Sequence, residues 1–155
     1  MIKYLVMDID GTLTDGKIYM GNDGEMMKAF NIKDGCGIHD IAIPAGLIPV
    51  IITGRISDIV LNRCQELGIT EVRQGISDKT TELQSMVANL SEVAYIGDDI
   101  NDIPCMSLIK KAGGKIGCPA DGVKQVKEIS DFVAEHNGGY GAVRDFIEWL
   151  VIDNQ

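Results

Sequence analysis

The sequence predicts a doubly wound, Rossmann-like parallel α/β fold, and three observations predict it. Short apolar runs recur at residues 3–7, 47–52, 93–96, 115–118 and 132–133. They are apolar on both faces, as strands buried between two helix layers must be, where a half-exposed strand would alternate. Segments of helical periodicity separate them, and strand–helix alternation with right-handed crossovers gives a parallel sheet covered on both sides. A length of 155 residues fits one domain spanning 1–155, enough for a real core but not for an elaborate second module.

Taken in order, residues 3–7 form the first strand and run directly into acids at Asp8 and Asp10. Residues 17–30 break the rhythm. Two short strands flank Gly21-Asn22-Asp23-Gly24, a strong turn sequence for a projecting β-hairpin. Ile18, Tyr19, Met20, Met26 and Met27 would give that ribbon an apolar surface suited to a lid or a subunit contact. Helices are expected over 37–45, 57–67, 78–89, 101–111 and 141–152, with one short strand between the second and third. In the second, Ile59, Val60, Arg63, Cys64 and Leu67 fall on one stripe, with Ser57 as N-cap and Gly68 as stop. Residues 153–155 are expected to fray.

A formal charge of −9 and a pI near 4.6 argue against nucleic acid or an anionic membrane as partner, because both would be repelled at long range. The N-terminal apolar run meets acids too soon for a signal peptide or a membrane span, so a cytoplasmic protein is expected. Cys36, Cys64, Cys105 and Cys118 are widely spaced without a C-x-x-C pair, which fits buried free thiols better than a zinc or redox site.

Ligands of parallel α/β sheets gather beyond the carboxyl ends of the strands, and the polar residues after successive runs form a coherent set. The first is Asp8-Ile9-Asp10-Gly11-Thr12-Leu13-Thr14-Asp15. Its two carboxylates, two residues apart, project to the same side, and Gly11 permits the sharp departure of the backbone. One can attack phosphorus while its neighbour, partly protonated by the nearby like charge, serves the leaving oxygen. Thr53-Gly54-Arg55 follows the second run, offering a hydroxyl on a glycine turn at a helix start, suited to a phosphate oxygen. Lys79 opens the next helix as a point positive charge. Gly97-Asp98-Asp99-Ile100-Asn101-Asp102 clusters oxygen ligands without His or Cys, which favours a hard cation such as magnesium. Part of that cluster also suits an Asp-rich helix cap.

These four segments, in this order, resemble the haloacid dehalogenase-like hydrolase superfamily. The resemblance implies that Asp8 becomes an aspartyl-phosphate and that Asp10 is the general acid and base. It implies that Thr53, Gly54 and Lys79 grip the phosphoryl group, and that magnesium is held by Asp8, the Asp10 backbone carbonyl and Asp98. Asp99 and Asp102 would stand behind them, ordering a metal-bound water and Lys79 respectively. The cation and Lys79 would let an acidic protein bind an anion.

Most members of that superfamily carry a cap domain, for which this chain has no room. Asp15 through Glu25, then Lys28-Ala29-Phe30-Asn31, Asp34-Gly35, Ile52-Thr53-Gly54-Arg55, Gln74-Gly75, Asp78-Lys79, Tyr95-Ile96-Gly97-Asp98-Asp99 and Gly138-Gly139 look like the capless 3-deoxy-D-manno-octulosonate 8-phosphate phosphatase family. That likeness implies a small acidic sugar phosphate as substrate. It also implies a homotetramer whose packed hairpins let neighbouring subunits complete each site. Arg55, which could pair with the substrate carboxylate, favours this branch over phosphatases of sialic-type nonulosonate 9-phosphates, which tend to carry Glu there. Tyr140 departs from the family pattern, which has Arg at this point. A non-catalytic oligomerisation module of the same fold is the remaining alternative, and the presence of every acid speaks against it.

Overall fold

The computed structural model describes residues 1–155. Six parallel strands make the central sheet: β1 Tyr4–Met7, β4 Ile48–Ile52, β5 Glu71–Arg73, β6 Val93–Ile96, β7 Lys115–Cys118 and β8 Phe132–Val133. Their order is β5-β4-β1-β6-β7-β8, with β1 hydrogen-bonded to β4 on one side and β6 on the other. The chain winds outward from β1 to β5 and then returns to the other side of β1. The strand order therefore reverses between β1 and β6, where open α/β sheets form their ligand crevice.

Successive side chains of a strand point to opposite faces, which explains why β1 is apolar throughout. Leu5 and Met7 join a core that includes Ile51, Ala94, Ile96, Val60, Cys64, Leu67, Phe146 and Leu150. Val6 joins the opposite core with Val50, Ile52, Tyr95, Ile116, Leu83, Met106, Ile109 and Val126. The first core is roofed by α2 Asp58–Leu67, α6 Ala142–Asp153 and, through Ile38 and Ala42, the segment that follows the short α1 Ile32–Cys36. The second lies under α3 Lys79–Met86, α4 Ile103–Ala112 and α5 Lys124–Ile129.

Helix ends follow local chemistry. Gly68 at φ 76° and Gly113 at φ 94° stop α2 and α4 in left-handed caps that L-residues adopt at a cost. Ser57 occupies the N-cap position of α2 but makes no cap hydrogen bond; its hydroxyl is drawn instead to Glu25. The helix expected over 37–45 begins five residues earlier, at Ile32, and continues as a wider π-helical segment over Gly37–Ala42. Gly35 and Gly37 lower intrinsic helix propensity there, and Asn31 compensates by capping the Lys33 N–H at 2.8 Å. Helix α5 was not expected, because its six residues bury only Val126 and show no usable periodicity.

Two further differences concern the termini and the thiols. Where fraying is expected from residue 153, α6 runs to Asp153, and the Asn154 side chain bonds both the N–H and the carbonyl of Ile2. All four cysteines are free, but Cys36 is exposed while the other three are buried.

The hairpin projects from the sheet as β2 Tyr19–Gly21 and β3 Gly24–Met27, antiparallel with a bulge at Tyr19/Met20. Only this ribbon, α1 and its π-helical extension lie between β1 and β4, and only α2 and β5 between β4 and α3. No cap domain exists. No helix is long and apolar enough to cross a membrane.

Candidate active site

Asp8 is the first residue beyond β1. Its N–H bonds Ile96 O at 3.3 Å, which ties the end of β1 to the end of β6. The next residues turn sharply through Gly11, at φ 86°, where a Cβ would lie 2.0 Å from Asp98 Oδ2. Glycine is thus required on two grounds: the left-handed backbone, and the close approach of the β6 loop. The Thr14 hydroxyl accepts from the Gly11 and Gly16 N–H groups, and Thr12 donates to Asp98 Oδ1 at 3.3 Å. From the far end of the chain, Gly138 packs on this turn so tightly that a Cβ would sit 2.0 Å from Gly11 O. The Gly139 N–H bonds Thr12 O. The double glycine therefore braces the loop that carries Asp8.

Lys79, first residue of α3, reaches inward with its side chain 3% exposed. Its ammonium lies 2.8 Å from Asp102 Oδ1 and 3.3 Å from Asp8 Oδ1. Asp102 is wholly buried and its acceptors are all engaged: Oδ1 by Lys79 and the Tyr95 hydroxyl, Oδ2 by the Asp98 and Asp99 N–H groups. Such saturation is what a buried carboxylate needs.

Carboxylate oxygens of Asp8, Asp98 and Asp102 all lie within 4.8 Å of one another. Since Asp102 is committed to protein donors, Asp8 and Asp98 are the oxygens left to hold a cation. Their electrostatics are compatible with one. Burial pushes Asp98 up to about 8, helped by the charges of Asp8, Asp102 and Asp99. Burial and Asp102 push Asp8 up to about 6, against Lys79 and the Ile9 N–H. Burial disfavours the charge on Lys79, yet Asp8 and Asp102 outweigh it and raise its pKa. Crowded hard oxygens whose ionisation is resisted are relieved by a divalent metal.

Asp8, Asp10, Thr53, Gly54, Arg55, Asp98, Asp99 and Asn101 line an open pocket of about 230 Å³ that contains no hydrophobic residue. Lys79 and Asp102 lie beneath it. Thr53 is buried where β4 ends, held by hydrogen bonds to Arg73 O and from the Ile76 N–H. Asp99 lines the pocket and also caps the short 3₁₀ turn before α4, accepting from the Ile100 N–H at 2.7 Å.

No protein-family model matches the chain. The 3-deoxy-D-manno-octulosonate 8-phosphate phosphatase KdsC of Escherichia coli K12 is 41% identical to it over 155 residues, covering 97% of this chain and 80% of that protein. The chain belongs to the 3-deoxy-D-manno-octulosonate 8-phosphate phosphatase family. Two solved structures from this family superimpose closely. The Moraxella catarrhalis phosphatase, solved with magnesium, phosphate and KDO, is 38% identical, with a TM-score of 0.90 over 99% of this chain and 87% of that one. The cobalt-bound Haemophilus influenzae enzyme is 33% identical, with a TM-score of 0.89 over 99% and 89%. Like these relatives, the chain is a hydrolase of the haloacid dehalogenase-like superfamily.

Within this phosphatase, two residues beside the site have roles that sequence reasoning did not assign. Lys28, just past β3, pairs with Asp10 Oδ1 and lies 3.0 Å from Glu25 Oε2. Glu25 also accepts from Ser57 at 2.6 Å and lies 3.4 Å from Arg55. In the sequence both belong to the hairpin and to the segments that carry the family resemblance, with no chemical role of their own. Nothing in their local spacing relates them to Asp10, 18 positions before Lys28, because the fold-back of the ribbon creates the contact. Tyr140 lies outside the Asp8 pocket, exposed in a separate hollow with Lys33, His136 and Arg144.

Proposed function

We propose that this protein is a magnesium-dependent phosphomonoesterase that hydrolyses 3-deoxy-D-manno-octulosonate 8-phosphate through an aspartyl-phosphate on Asp8. The observation that carries the reading is the meeting of Asp8 and Asp98 at one pocket lined by no hydrophobic residue, with the Lys79 ammonium 3.3 Å from Asp8, in a chain whose relatives bear that substrate in their names.

A carboxylate oxygen of Asp8 attacks phosphorus, and the ester P–O bond breaks as the sugar oxygen takes a proton from Asp10. Water then attacks the phosphorus of the aspartyl-phosphate, Asp10 accepts its proton, and Asp8 and inorganic phosphate are released. Lys79, the Thr53 hydroxyl and the Gly54 backbone hold the phosphoryl oxygens, and Asp102 keeps Lys79 aimed. Asp8, Asp98 and the Asp10 backbone carbonyl would hold magnesium, which supplies positive charge where the phosphoryl group gains negative charge. Asp99 would order water beside that group. Arg55, 45% exposed at the pocket edge, pairs with the substrate carboxylate.

The exposed methionines of the hairpin support assembly as a homotetramer. Met20, Met26 and Met27 are 62%, 67% and 54% exposed there, and methionines clustered on one projecting ribbon are costly to leave in water. Four free thiols agree with a reducing, cytoplasmic setting.

Purified protein is expected to release phosphate from 3-deoxy-D-manno-octulosonate 8-phosphate with magnesium and to stop on chelation. Asp8→Asn is expected to abolish turnover with the fold intact by circular dichroism, because an amide cannot attack phosphorus. Substantial turnover by that variant would refute the covalent route.

A further inference from the structure

The hairpin places two charged groups, Glu25 and Lys28, against the pocket-lining Arg55 and Asp10, and their exposure separates them from Arg55. The Lys28 side chain is 0% exposed while that of Arg55 is 45% exposed. Arg55 can meet a ligand. Lys28 cannot, and its ammonium reaches only Asp10 Oδ1 and Glu25 Oε2.

Glu25 is itself firmly held. Ser57 donates to Oε1 at 2.6 Å, and the Ser57 N–H is fixed in turn by Gln74 Oε1 at 2.7 Å. Although burial opposes its charge, the Ser57 hydroxyl, Lys28 and Arg55 together hold Glu25 below its usual range. A covered ammonium between two carboxylates loses hydration that only good geometry restores, so this arrangement is a built feature beside the pocket.

We propose that Lys28 is a positioning residue for Asp10, with Glu25 as the strut that holds it. Lys28 engages Oδ1 and leaves Oδ2, which no protein group bonds, for the proton and the departing oxygen. The inference rests on the reading of Asp10 as general acid. When the ester P–O bond breaks, its electron pair goes to the sugar oxygen, which takes the proton from Asp10. A carboxyl free to rotate would meet that oxygen less often, and misplacement of catalytic groups by about 1 Å costs on the order of 100-fold.

The test compares two esters in Lys28→Met, Lys28→Arg and Glu25→Gln. An alkyl ester, the sugar phosphate, must have its leaving oxygen protonated; p-nitrophenyl phosphate departs as a stable anion and needs no acid. The ratio kcat/KM covers the steps through departure of the alcohol, so it isolates Asp10 as acid. Lys28→Met is expected to lose roughly 10- to 100-fold in kcat/KM on the sugar phosphate, within the range for a positioned acid, and less than about 3-fold on the aryl ester. Lys28→Arg is expected to recover part of the loss, and Glu25→Gln to show a smaller loss with the same ester preference. Equal losses on both esters, or no loss on either, overturn the proposal. Should Lys28→Met fail to fold, Glu25→Gln carries the same comparison. An unmodified protein that releases no phosphate from either ester overturns the parent reading and this one together, whereas normal wild-type activity with equal losses overturns this one alone.

Discussion

At the scale of single residues, the site is a problem of crowded negative charge, solved in part by the protein. Asp102 is satisfied by four donors, while Asp8 and Asp98 are left with raised pKa values of about 6 and about 8. A carboxyl raised above its unfolded value costs nothing while both states are protonated. The cost develops as pH rises from the unfolded pKa to the folded one. For Asp98 that window runs from about 4 to about 8. Without metal, Asp98→Asn should therefore melt above the wild type by a margin that widens across this range. Added magnesium should raise the wild-type Tm far more than that of the variant, because the cation binds the ionised site. Thermal melts at pH 4, 6 and 8, with and without magnesium, decide the matter; a constant gap would contradict the charge-crowding account. The residue identities of this site were legible early, since Asp8, Thr53, Lys79 and Asp98 each follow an apolar run or open a helix. Lys28 was not, because a lysine at the end of a hairpin is ordinarily a solvated charge.

At the scale of elements, the strands were read nearly in place because a strand buried on both faces needs a continuous apolar run. Elements whose stability comes from elsewhere were harder. The first turns of α1 contain glycine, and α5 contributes a single buried side chain, so neither has a local signal strong enough to stand alone. Helix α6 is the opposite case, anchored by an aromatic stack in which Phe146 lies 5.9 Å from Phe132 and 5.7 Å from Trp149, ring centre to ring centre. Gly117 of β7 sits against the same ring, where a Cβ would come within 2.6 Å. Phe146→Ala is expected to cost about 3–5 kcal/mol by urea denaturation, with the chemistry of the pocket unchanged in the folded fraction. A loss under about 1 kcal/mol would mean that the ring is not a keystone of this helix–sheet contact.

At the scale of the whole molecule, the pocket is open because no cap covers it, and the hairpin is the one structure that projects beside it. Met20, Met26 and Met27 are exposed on it, while Glu25 and Lys28 engage Arg55 and Asp10. Assembly through those methionines would thus brace the residues beside the site. Met20→Glu combined with Met26→Glu is expected to convert the proposed tetramer to smaller species by light scattering and to lower activity on the sugar phosphate. A single mass, unchanged between wild type and variant, would exclude the hairpin as the contact. The net charge of −9 bears on the proposed binding: an anionic substrate would have to be captured by local cations at the pocket, since the long-range field repels it.

The sequence alone determined the strand–helix alternation and the acids that follow each strand, because both follow from local patterning of a few neighbouring residues. The tertiary structure decided what those acids touch. Which carboxylates remain free for a cation, why Gly11 and Gly138 admit no side chain, and how Lys28 comes to Asp10 all depend on segments distant in the chain. Such contacts are fixed by packing and by the satisfaction of buried charge, and neither leaves a mark in local sequence.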